Sequence, residues 1–286
     1  MIRPAAFRLN EETAVNNYYQ TTSDTLKLKD SNALAQEEFD ALVTKLKEAG
    51  VHVVIFNDDG SQDTPDSLFP NNWVSFHENG DMALYPMFAV NRRRERRGEV
   101  IGTLEEQGFK IQNVVDYTAA ENEELFLEGT GSLVLDRVNR KAYCALSPRA
   151  DEELLIEFCE DFEYTPVIFT AYQTVKGKRL PIYHTNVMMC VAKYFAVVCL
   201  DCIDDTKERK NVLNHLKEDK KEVISITEAQ VEQFAGNMLE VTNAKGASIT
   251  VMSQSAYSSL TQQQIAAIEK YSTILSSDIT TIETLG

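Results

Sequence analysis

The apolar and polar residues of this chain follow two spacings, which together predict alternating helices and strands. Apolar residues three and four positions apart predict amphipathic helices over five segments, namely residues 36–49, 93–107, 150–162, 206–219 and 261–270. Gly50 and Gly108 directly follow the first two segments, as is typical of helix ends. Short runs rich in apolar residues predict a strand after each helix, at residues 51–56, 110–115, 165–169, 222–226 and 272–276.

Pairs of strand-like runs separated by turn residues predict four hairpins between these helices. They lie within residues 73–87, 131–146, 187–200 and 238–252. The first turn, residues 78–81, contains the Asn-Gly pair that favours a tight hairpin turn. The chain therefore repeats a module of hairpin, helix and strand about five times, although the copies are too different to be recognised as repeats by identity.

A module with one apolar sheet face and one helix needs neighbours against which to bury that face. Closing the modules into a ring leaves no unpaired module at either end. We therefore expect an α/β fold in a single domain over residues 1–286, with the mouths of the hairpins converging on a central axis. Candidate functional residues are those at the hairpin mouths.

Composition narrows the class of protein. Hydrophobic residues make up 43% of the 286 positions and charged residues 25%, as in a soluble globular chain. The formal net charge of -16 disfavours binding to nucleic acid or to an anionic membrane surface. No apolar run is long enough to span a bilayer, and the first residues lack the apolar core of a signal peptide. Five scattered cysteines argue against a secreted disulfide framework, so a cytoplasmic location is expected.

His184 and Asn186 precede the apolar run of residues 187–191, which is predicted to be a buried strand. In an extended chain, residues two positions apart share a face, so the imidazole and the amide would line one wall of the hairpin mouth. The alternative is a histidine that satisfies ordinary hydrogen bonds at a strand end. Cys199 and Cys202 have the C-x-x-C spacing, but they lie in an apolar run without a second pair. They are interpreted as core residues rather than as metal ligands.

Two further hairpin mouths carry carboxylates and amides. Asp66, Asn71 and Asn72 stand just before the only tryptophan, Trp73, and apolar neighbours favour partial burial of the amides. A simple turn is the alternative interpretation. Glu128 follows Phe-Leu and precedes Gly-Thr-Gly; burying it requires a cation, and the alternative is a glutamate at a solvated turn.

The basic residues suggest where an anionic group would bind. Residues 92–97 contain five arginines in an otherwise acidic chain, most simply as a solvated helix face. Arg92, at the start of the predicted helix, is instead a candidate for a substrate carboxylate, because its planar guanidinium suits one. Arg149 occupies an equivalent position one module later.

In this order, these segments resemble the guanidino-group-modifying superfamily, which includes arginine deiminase and dimethylargininase. The likeness is strongest to the arginine-deiminase-related citrulline utilization hydrolases. It covers nearly the whole chain and rests on five segments, namely Met-Ile-Arg-Pro-Ala at residue 1, Phe-Pro-Asn-Asn-Trp-Val-Ser-Phe at 69, Leu-Glu-Gly-Thr-Gly-Ser-Leu-Val-Leu-Asp at 127, Tyr-His-Thr-Asn-Val-Met at 183 and Gly-Asn-Met-Leu-Glu at 236.

The resemblance implies a pentein fold, a five-bladed α/β-propeller, and a cysteine hydrolase of arginine or an N-substituted arginine. It implies no cofactor and no metal, a small guanidino or ureido amino acid as ligand, and compatibility with a homodimer. His184 would be the general acid/base and Glu128 the guanidinium-binding carboxylate. The other implied substrate-binding residues are Asp66, Asn71, Asn72, Arg92, Arg149, Asn186 and Asn237.

Two departures from the family pattern bear on this expectation. Asn71, Asn72 and Asn186 stand where the deiminases carry acidic residues. The family's nucleophilic cysteine lies in a glycine-rich segment near the C-terminus, and the given residues stop about where that segment should begin. None of the five cysteines occupies it, so the nucleophile is expected beyond Gly286 or to be lost. The alternatives are an amidinotransferase and a non-catalytic protein that binds a guanidino or ureido ligand.

Overall fold

The computed structural model describes residues 1–20 and 28–286, and its helices and strands alternate along the chain. The helices are α1 (Leu28–Glu48), α2 (Gly98–Glu106), α3 (Gly129–Ser132), α4 (Glu152–Asp161), α5 (Thr206–Glu218), α6 (Glu228–Val231), α7 (Gln254–Ser259), α8 (Gln262–Glu269) and α9 (Thr280–Leu285). The strands are β1 (Ile2–Arg3), β2 (Phe56–Asn57), β3 (Val74–Phe76), β4 (Asp81–Leu84), β5 (Asn113–Asp116), β6 (Leu133–Asp136), β7 (Lys141–Ala145), β8 (Thr165–Phe169), β9 (Tyr172–Val175), β10 (Lys178–Pro181), β11 (Met189–Val191), β12 (Phe195–Val198), β13 (Glu222–Ser225), β14 (Leu239–Thr242), β15 (Ser248–Ser253) and β16 (Thr273–Ser277).

Four three-stranded sheets share one topology. Their orders are β3-β4-β5, β6-β7-β8, β11-β12-β13 and β14-β15-β16. In each sheet the first two strands are antiparallel, and the third is parallel to the second. A helix connects the parallel pair, as such a crossover requires: α2, α4, α5 and α8 serve in turn. The predicted module of hairpin, helix and strand is therefore confirmed four times. Strands β1 and β2 also pair in parallel, with α1 connecting them, but this pair has no hairpin strand among the described residues.

The positions of some predicted elements were wrong. The strand predicted over residues 51–56 is much shorter in the structure, where only β2 (Phe56–Asn57) forms. Its partner β1 has two residues, so only two residues of this segment pair. The predicted helix over residues 93–107 is divided into a 3₁₀ helix, Asn91–Glu95, and α2. Arg96 separates them, because its ψ of 83° lies outside the helical region. The helix predicted over residues 36–49 begins earlier, at Leu28, as α1.

The hairpin β9–β10 was not predicted. Its turn residues, Lys176 and Gly177, have φ angles of 49° and 77°. Two successive positive φ angles are typical of the two-residue turns whose backbone matches the twist of a β-hairpin. Lys-Gly lacks the Asn-Gly or Asp-Gly signature of such turns, which explains why the sequence did not indicate one here.

The chain forms two compact units. The first unit comprises residues 52–129 and 279–286 together with the described part of residues 1–48, and the second comprises residues 49–51 and 130–278. Trp73 and Met87 are fully buried in one apolar cluster of the first unit. In the second unit every residue of β12 is buried. Among the described residues, no helix combines the length and apolar character needed to cross a membrane.

The last helix is held within the first unit by a side chain of α1. The Glu38 carboxylate accepts hydrogen bonds from the backbone N–H groups of Thr281 and Ile282, at 2.7 and 3.0 Å. These N–H groups begin α9 and have no intrahelical acceptor, so Glu38 satisfies them and complements the positive end of the helix. Asn17 Nδ2 donates to the Gly286 carbonyl at 3.1 Å.

Candidate active site

Glu128 is buried in the first unit by the close approach of two backbone segments. Gly129 has a φ of +42°, and a Cβ added to it would lie 2.3 Å from the Asn71 carbonyl oxygen and 2.8 Å from that of Asn72. Only glycine allows this approach. The Glu128 side chain has 0% exposure, and its Oε1 accepts from the Phe88 backbone N–H at 3.0 Å. The alternative of a glutamate at a solvated turn is therefore wrong.

Asp66 is held in the same unit by the N-terminal segment. Its Oδ2 accepts from Asn10 Nδ2 at 2.7 Å and from the Thr13 hydroxyl at 3.5 Å. Asn10 also exchanges amide hydrogen bonds with Asn91. The other carboxylate oxygen, Asp66 Oδ1, is buried and has no hydrogen-bond partner within the described chain. A buried, unsatisfied carboxylate oxygen is costly and suits a cationic ligand.

The Arg92 guanidinium lies among these groups. Nε and Nη2 donate to the two Glu95 carboxylate oxygens at 2.9 and 3.0 Å, and Nη1 donates to Asn72 Oδ1 at 2.9 Å. Nη2 also donates to the Phe69 carbonyl at 3.3 Å, and Nε is 3.7 Å from Asp66 Oδ2. Asn72 is buried as expected, and its partner is this arginine. A substrate carboxylate at Arg92 would compete with Glu95, so that role stays a prediction.

The charged side chains of this cluster are buried. Asp66, Glu95 and Glu128 have exposures of 3%, 2% and 0%, and Arg92 is equally buried. Burial, assisted by the charges of Asp66 and Glu128, raises the pKa of Glu95 to about 7 against the opposing effect of Arg92. Burial by itself would lower the pKa of the Arg92 guanidinium, but Glu95 and Asp66 raise it above its ordinary value. The Arg92 guanidinium is therefore shared by two buried carboxylates, those of Glu95 and Asp66.

Three of the remaining arginines of the run have acidic partners, whereas Arg94 is exposed and donates to the backbone carbonyls of Asn91 and Asp63. Arg96 forms two hydrogen bonds with the Glu121 carboxylate, and Arg93 Nε lies 3.4 Å from the same group. Arg97 Nη1 donates to Asp58 Oδ1 at 2.9 Å. The interpretation as a solvated helix face is therefore wrong for Arg93, Arg96 and Arg97, because neighbouring segments bring a carboxylate to these three side chains.

His184 and Arg149 both lie against the Tyr183 ring in the second unit. The His184 and Tyr183 ring centroids are 4.7 Å apart, and Arg149 Cζ is 4.7 Å from the Tyr183 ring centroid. Both side chains are buried. The Ser147 hydroxyl donates to the Tyr183 carbonyl at 2.8 Å and accepts from the Arg149 backbone N–H at 3.1 Å. The loop before α4 therefore holds the segment that carries His184.

The backbone after His184 is not the predicted strand. Thr185–Val187 is a 3₁₀ helix, and β11 begins only at Met189. Thr185 explains this turn, because its hydroxyl donates to the Ser132 carbonyl at 2.6 Å and accepts from the Ala145 N–H at 2.8 Å. His184 and Asn186 are therefore not residues of one extended strand, so the expectation that their side chains share a strand face does not apply. Asn186 is half-buried.

Asn237 follows a second close backbone approach, also within the second unit. A Cβ added to Gly236 would lie 2.3 Å from the Val187 carbonyl oxygen and 2.6 Å from the Met188 carbonyl carbon. This contact brings residues 236–237 beside the 3₁₀ helix that follows His184. The Asn237 backbone N–H donates to the Phe234 carbonyl at 2.9 Å, and its side chain is exposed.

The five cysteines are poorly suited to nucleophilic chemistry. Burial raises the pKa of Cys144, and it raises those of Cys159 and Cys190 to about 12. Hydrogen bonding between the thiols of Cys199 and Cys202 lowers the pKa of the first and raises that of the second. Both of these residues have 0% exposure, so neither thiol is accessible. Among residues 1–20 and 28–286, no set of three or more His, Cys, Asp or Glu side chains is arranged to hold a metal ion.

Sequence reasoning missed several polar residues of the first unit. Asn10, Thr13 and Asn91 surround Asp66, and Glu95 pairs with Arg92. Glu95 had one usable signal, since it is the only acidic residue in the run of arginines and lies three positions after Arg92. Asn10 had none, because its contact with Asp66 spans 56 positions of the chain.

Comparison with known proteins identifies the class of protein to which this arrangement belongs. The family model for eukaryotic N,N dimethylarginine dimethylhydrolase matches residues 3–286. The chain therefore belongs to the N,N dimethylarginine dimethylhydrolase family, within the guanidino-group-modifying pentein superfamily. None of the curated proteins compared with it is significantly similar in sequence.

Solved structures share the fold at low identity. The N-terminal domain of ArgZ, an arginine dihydrolase from cyanobacteria solved with its substrate, is 17% identical with a TM-score of 0.70, over 99% of this chain and 92% of that domain. AgrE in complex with L-arginine is 18% identical with a TM-score of 0.72, and this chain covers 38% of it. DDAH from Pseudomonas aeruginosa with citrulline is 14% identical with a TM-score of 0.63, over 99% of this chain and 93% of that one. The protein has the mixed α/β fold of these proteins.

Proposed function

We propose that this protein hydrolyses the guanidino group of arginine or an N-substituted arginine. The products are a citrulline-like ureido compound and ammonia or an amine. The observation that carries the proposal is the buried carboxylate of Asp66, whose Oδ1 has no hydrogen-bond partner among the described residues and suits a cationic ligand.

Asp66 and Glu128 are assigned to hold the guanidinium. A guanidinium has planar N–H donors that match carboxylate oxygens, and such charge-assisted bonds are strong in a buried site. A ureido product lacks the positive charge and would be held more weakly, which favours its release. The amides of Asn71, Asn72, Asn186 and Asn237 and the guanidinium groups of Arg92 and Arg149 are proposed to contact the rest of the ligand.

His184 is assigned the proton transfers. In the first step a thiolate attacks the guanidinium carbon, and His184 donates a proton to the departing amine. In the second step His184 accepts a proton from water, which attacks the thiouronium carbon. The C–S bond breaks, and the ureido product and the thiolate are released. Neither step consumes an oxidant or a reductant.

The thiolate is proposed to come from none of Cys144, Cys159, Cys190, Cys199 and Cys202. Burial opposes ionisation or access at each of them. The test is the full natural reading frame with all five replaced by alanine or serine, whichever residue fits each site. Wild-type turnover in that variant supports the proposal, whereas turnover lost on replacing Cys190 or Cys199 alone places the nucleophile there.

Amine-release assays test the reaction itself. The full reading frame is incubated with L-arginine, Nω-methyl-L-arginine and asymmetric dimethyl-L-arginine, and the ammonia, methylamine or dimethylamine is quantified. Calorimetric titration with L-arginine accompanies the assay. Release of an amine with a ureido product supports hydrolysis. Binding without release would favour the non-catalytic alternative, and transfer to an added amine would favour an amidinotransferase.

We also propose that the modules close into a five-bladed propeller that unfolds as one domain. Four complete modules support this. The β1–α1–β2 segment supports it too, because a helix there likewise connects two parallel strands. An experimental structure tests the closure. Scanning calorimetry tests the domain count, since a single domain shows one cooperative transition and two independent units show two.

A further inference from the structure

Asn10 is a buried amide beside Asp66 to which the proposed reaction gives no role. Its side chain is only 1% exposed, and it comes from the N-terminal segment, 56 positions before Asp66 in the chain. Asn10 Nδ2 donates to Asp66 Oδ2 at 2.7 Å. A structural amide that satisfies a buried carboxylate is the simplest interpretation. The division of hydrogen bonds between the two oxygens of Asp66 indicates a more specific role.

The orientation of the Asn10 amide is fixed by neighbours at both of its ends. Oδ1 accepts from the Glu12 backbone N–H at 3.2 Å and from Asn91 Nδ2 at 2.7 Å, while Nδ2 donates to Asn91 Oδ1 at 3.2 Å. A backbone N–H can only donate, so turning the amide over would place its NH₂ group against another donor. Asn10 therefore presents a donor to Asp66, and not an acceptor.

The two carboxylate oxygens of Asp66 have unequal surroundings. Oδ2 accepts from Asn10 Nδ2 at 2.7 Å and from the Thr13 hydroxyl at 3.5 Å, and Arg92 Nε lies 3.7 Å from it. Oδ1 is buried and has no hydrogen-bond partner among the described residues. Because the carboxylate is planar, bonds that hold Oδ2 also fix the position of Oδ1. One oxygen is thereby left for a ligand.

Asn10 is suited to this task because its amide carries no charge. A lysine or arginine in its place would also orient Asp66, but its positive charge would compete with that of a cationic ligand. The neutral amide leaves the attraction of the carboxylate for a guanidinium in place, and the N–H groups of a guanidinium match a carboxylate oxygen. Affinity for the cation then depends on a residue that does not itself touch the ligand.

We infer that Asn10 is a positioning residue of the guanidinium site: it holds Asp66 Oδ2, so that Oδ1 is presented to the cationic group of the ligand. This inference rests on the proposed function. Loss of the Asn10 amide should weaken binding of a guanidino ligand more than binding of a neutral ureido ligand. It should also have no further effect once the Asp66 carboxylate has been removed.

A double-mutant cycle measured by calorimetric titration tests this link, because it separates an effect that acts through Asp66 from one that acts on the fold. L-arginine and L-citrulline are titrated into the full-length wild type, Asn10→Ala, Asp66→Ala and the double variant. Asn32→Ala is the matched control, because Asn32 Oδ1 accepts from the Phe7 backbone N–H at 2.9 Å and so holds the same segment at another point. Thermal unfolding of each variant is measured alongside.

Asn10→Ala is expected to bind L-arginine about fivefold or more weakly, the worth of one hydrogen bond, and L-citrulline with a smaller loss. The double variant is expected to bind L-arginine as Asp66→Ala does, and Asn32→Ala as the wild type does. If Asn10→Ala does not fold, Asn91→Ala replaces it in the cycle, since it removes the partner that fixes the Asn10 amide. If the Asp66→Ala proteins bind L-arginine too weakly to titrate, the difference between the two ligands decides.

Equal losses for the two ligands, or additive losses in the double variant, would overturn the inference alone. The same arginine-selective loss in Asn32→Ala would also overturn it, because the effect would then belong to the whole N-terminal segment. Absence of L-arginine binding by the wild type would overturn both the inference and the proposed function.

Discussion

The Arg92 guanidinium and the Glu95 carboxylate face each other through two hydrogen bonds of 2.9 and 3.0 Å, buried within one short 3₁₀ helix. The same guanidinium also donates to Asn72. One arginine thereby joins its own helix to the Asn-Asn turn and lies beside Asp66 and Glu128. Within this charged network, burial raises the pKa of Glu95, and the Arg92 guanidinium opposes that rise.

Removing the Glu95 carboxylate is expected to flatten the pH dependence of stability between pH 5 and 8. The folded pKa of about 7 lies above the value of 4.5 used for an unperturbed glutamate. A raised carboxyl pKa gives stability that is complete below the unfolded pKa and is lost as the pH rises through the folded pKa. The wild type is therefore expected to lose up to about 3 kcal/mol relative to Glu95→Gln across this window. Urea unfolding of both proteins at each pH checks this, and parallel profiles would contradict it.

His184→Ala is expected to lower turnover by about 10²–10⁴-fold while leaving the protein folded, because it removes a proton-transfer group. Steady-state amine release measures the loss, and calorimetric titration with L-arginine shows whether binding persists. His52→Ala is the control, since His52 is exposed. Wild-type turnover in His184→Ala would remove this residue from the proposed reaction.

Glu128→Gln is expected to weaken binding of L-arginine more than binding of L-citrulline. The lost interaction is with a positive charge, and a ureido group has none. Hydrogen bonds to charged groups contribute about 1.5–3 kcal/mol, which calorimetry resolves. Glu78→Gln, at the exposed turn between β3 and β4, is the control. Equal losses for both ligands would mean that Glu128 has a structural role only.

Gly129→Ala is expected to destabilise the protein by about 1–3 kcal/mol or more, because the new Cβ would overlap the Asn71 carbonyl oxygen. The positive φ of Gly129 adds strain. Gly102→Ala is the matched control, since nothing lies within 4 Å of its added Cβ and alanine favours the interior of α2. Thermal unfolding of the two variants should therefore shift in opposite directions. A Gly129→Ala protein as stable as the wild type would show that residues 71–72 and 128–129 are free to separate.

The modular secondary structure was largely determined by the sequence itself. Helix α5 and strand β8 lie within one residue of their predicted bounds, and the four predicted hairpins are present. These elements depend on the spacing of apolar residues within ten to fifteen consecutive positions, and that spacing is visible in the sequence. The same locality explains why the family resemblance, resting on short segments, led to the family whose model matches residues 3–286.

The electrostatics of the site were decided only by the tertiary structure. Glu128 resembles a turn residue in the sequence, and it is buried because Gly129 lies against the Asn71 carbonyl. Asp66 meets Asn10 across 56 positions, and Arg92 meets Asn72 across 20. Local patterns record backbone preference, but the charge state of a carboxylate depends on how much water and which charges the folded chain leaves around it. Those are set by segments distant in sequence, so no local pattern encodes them.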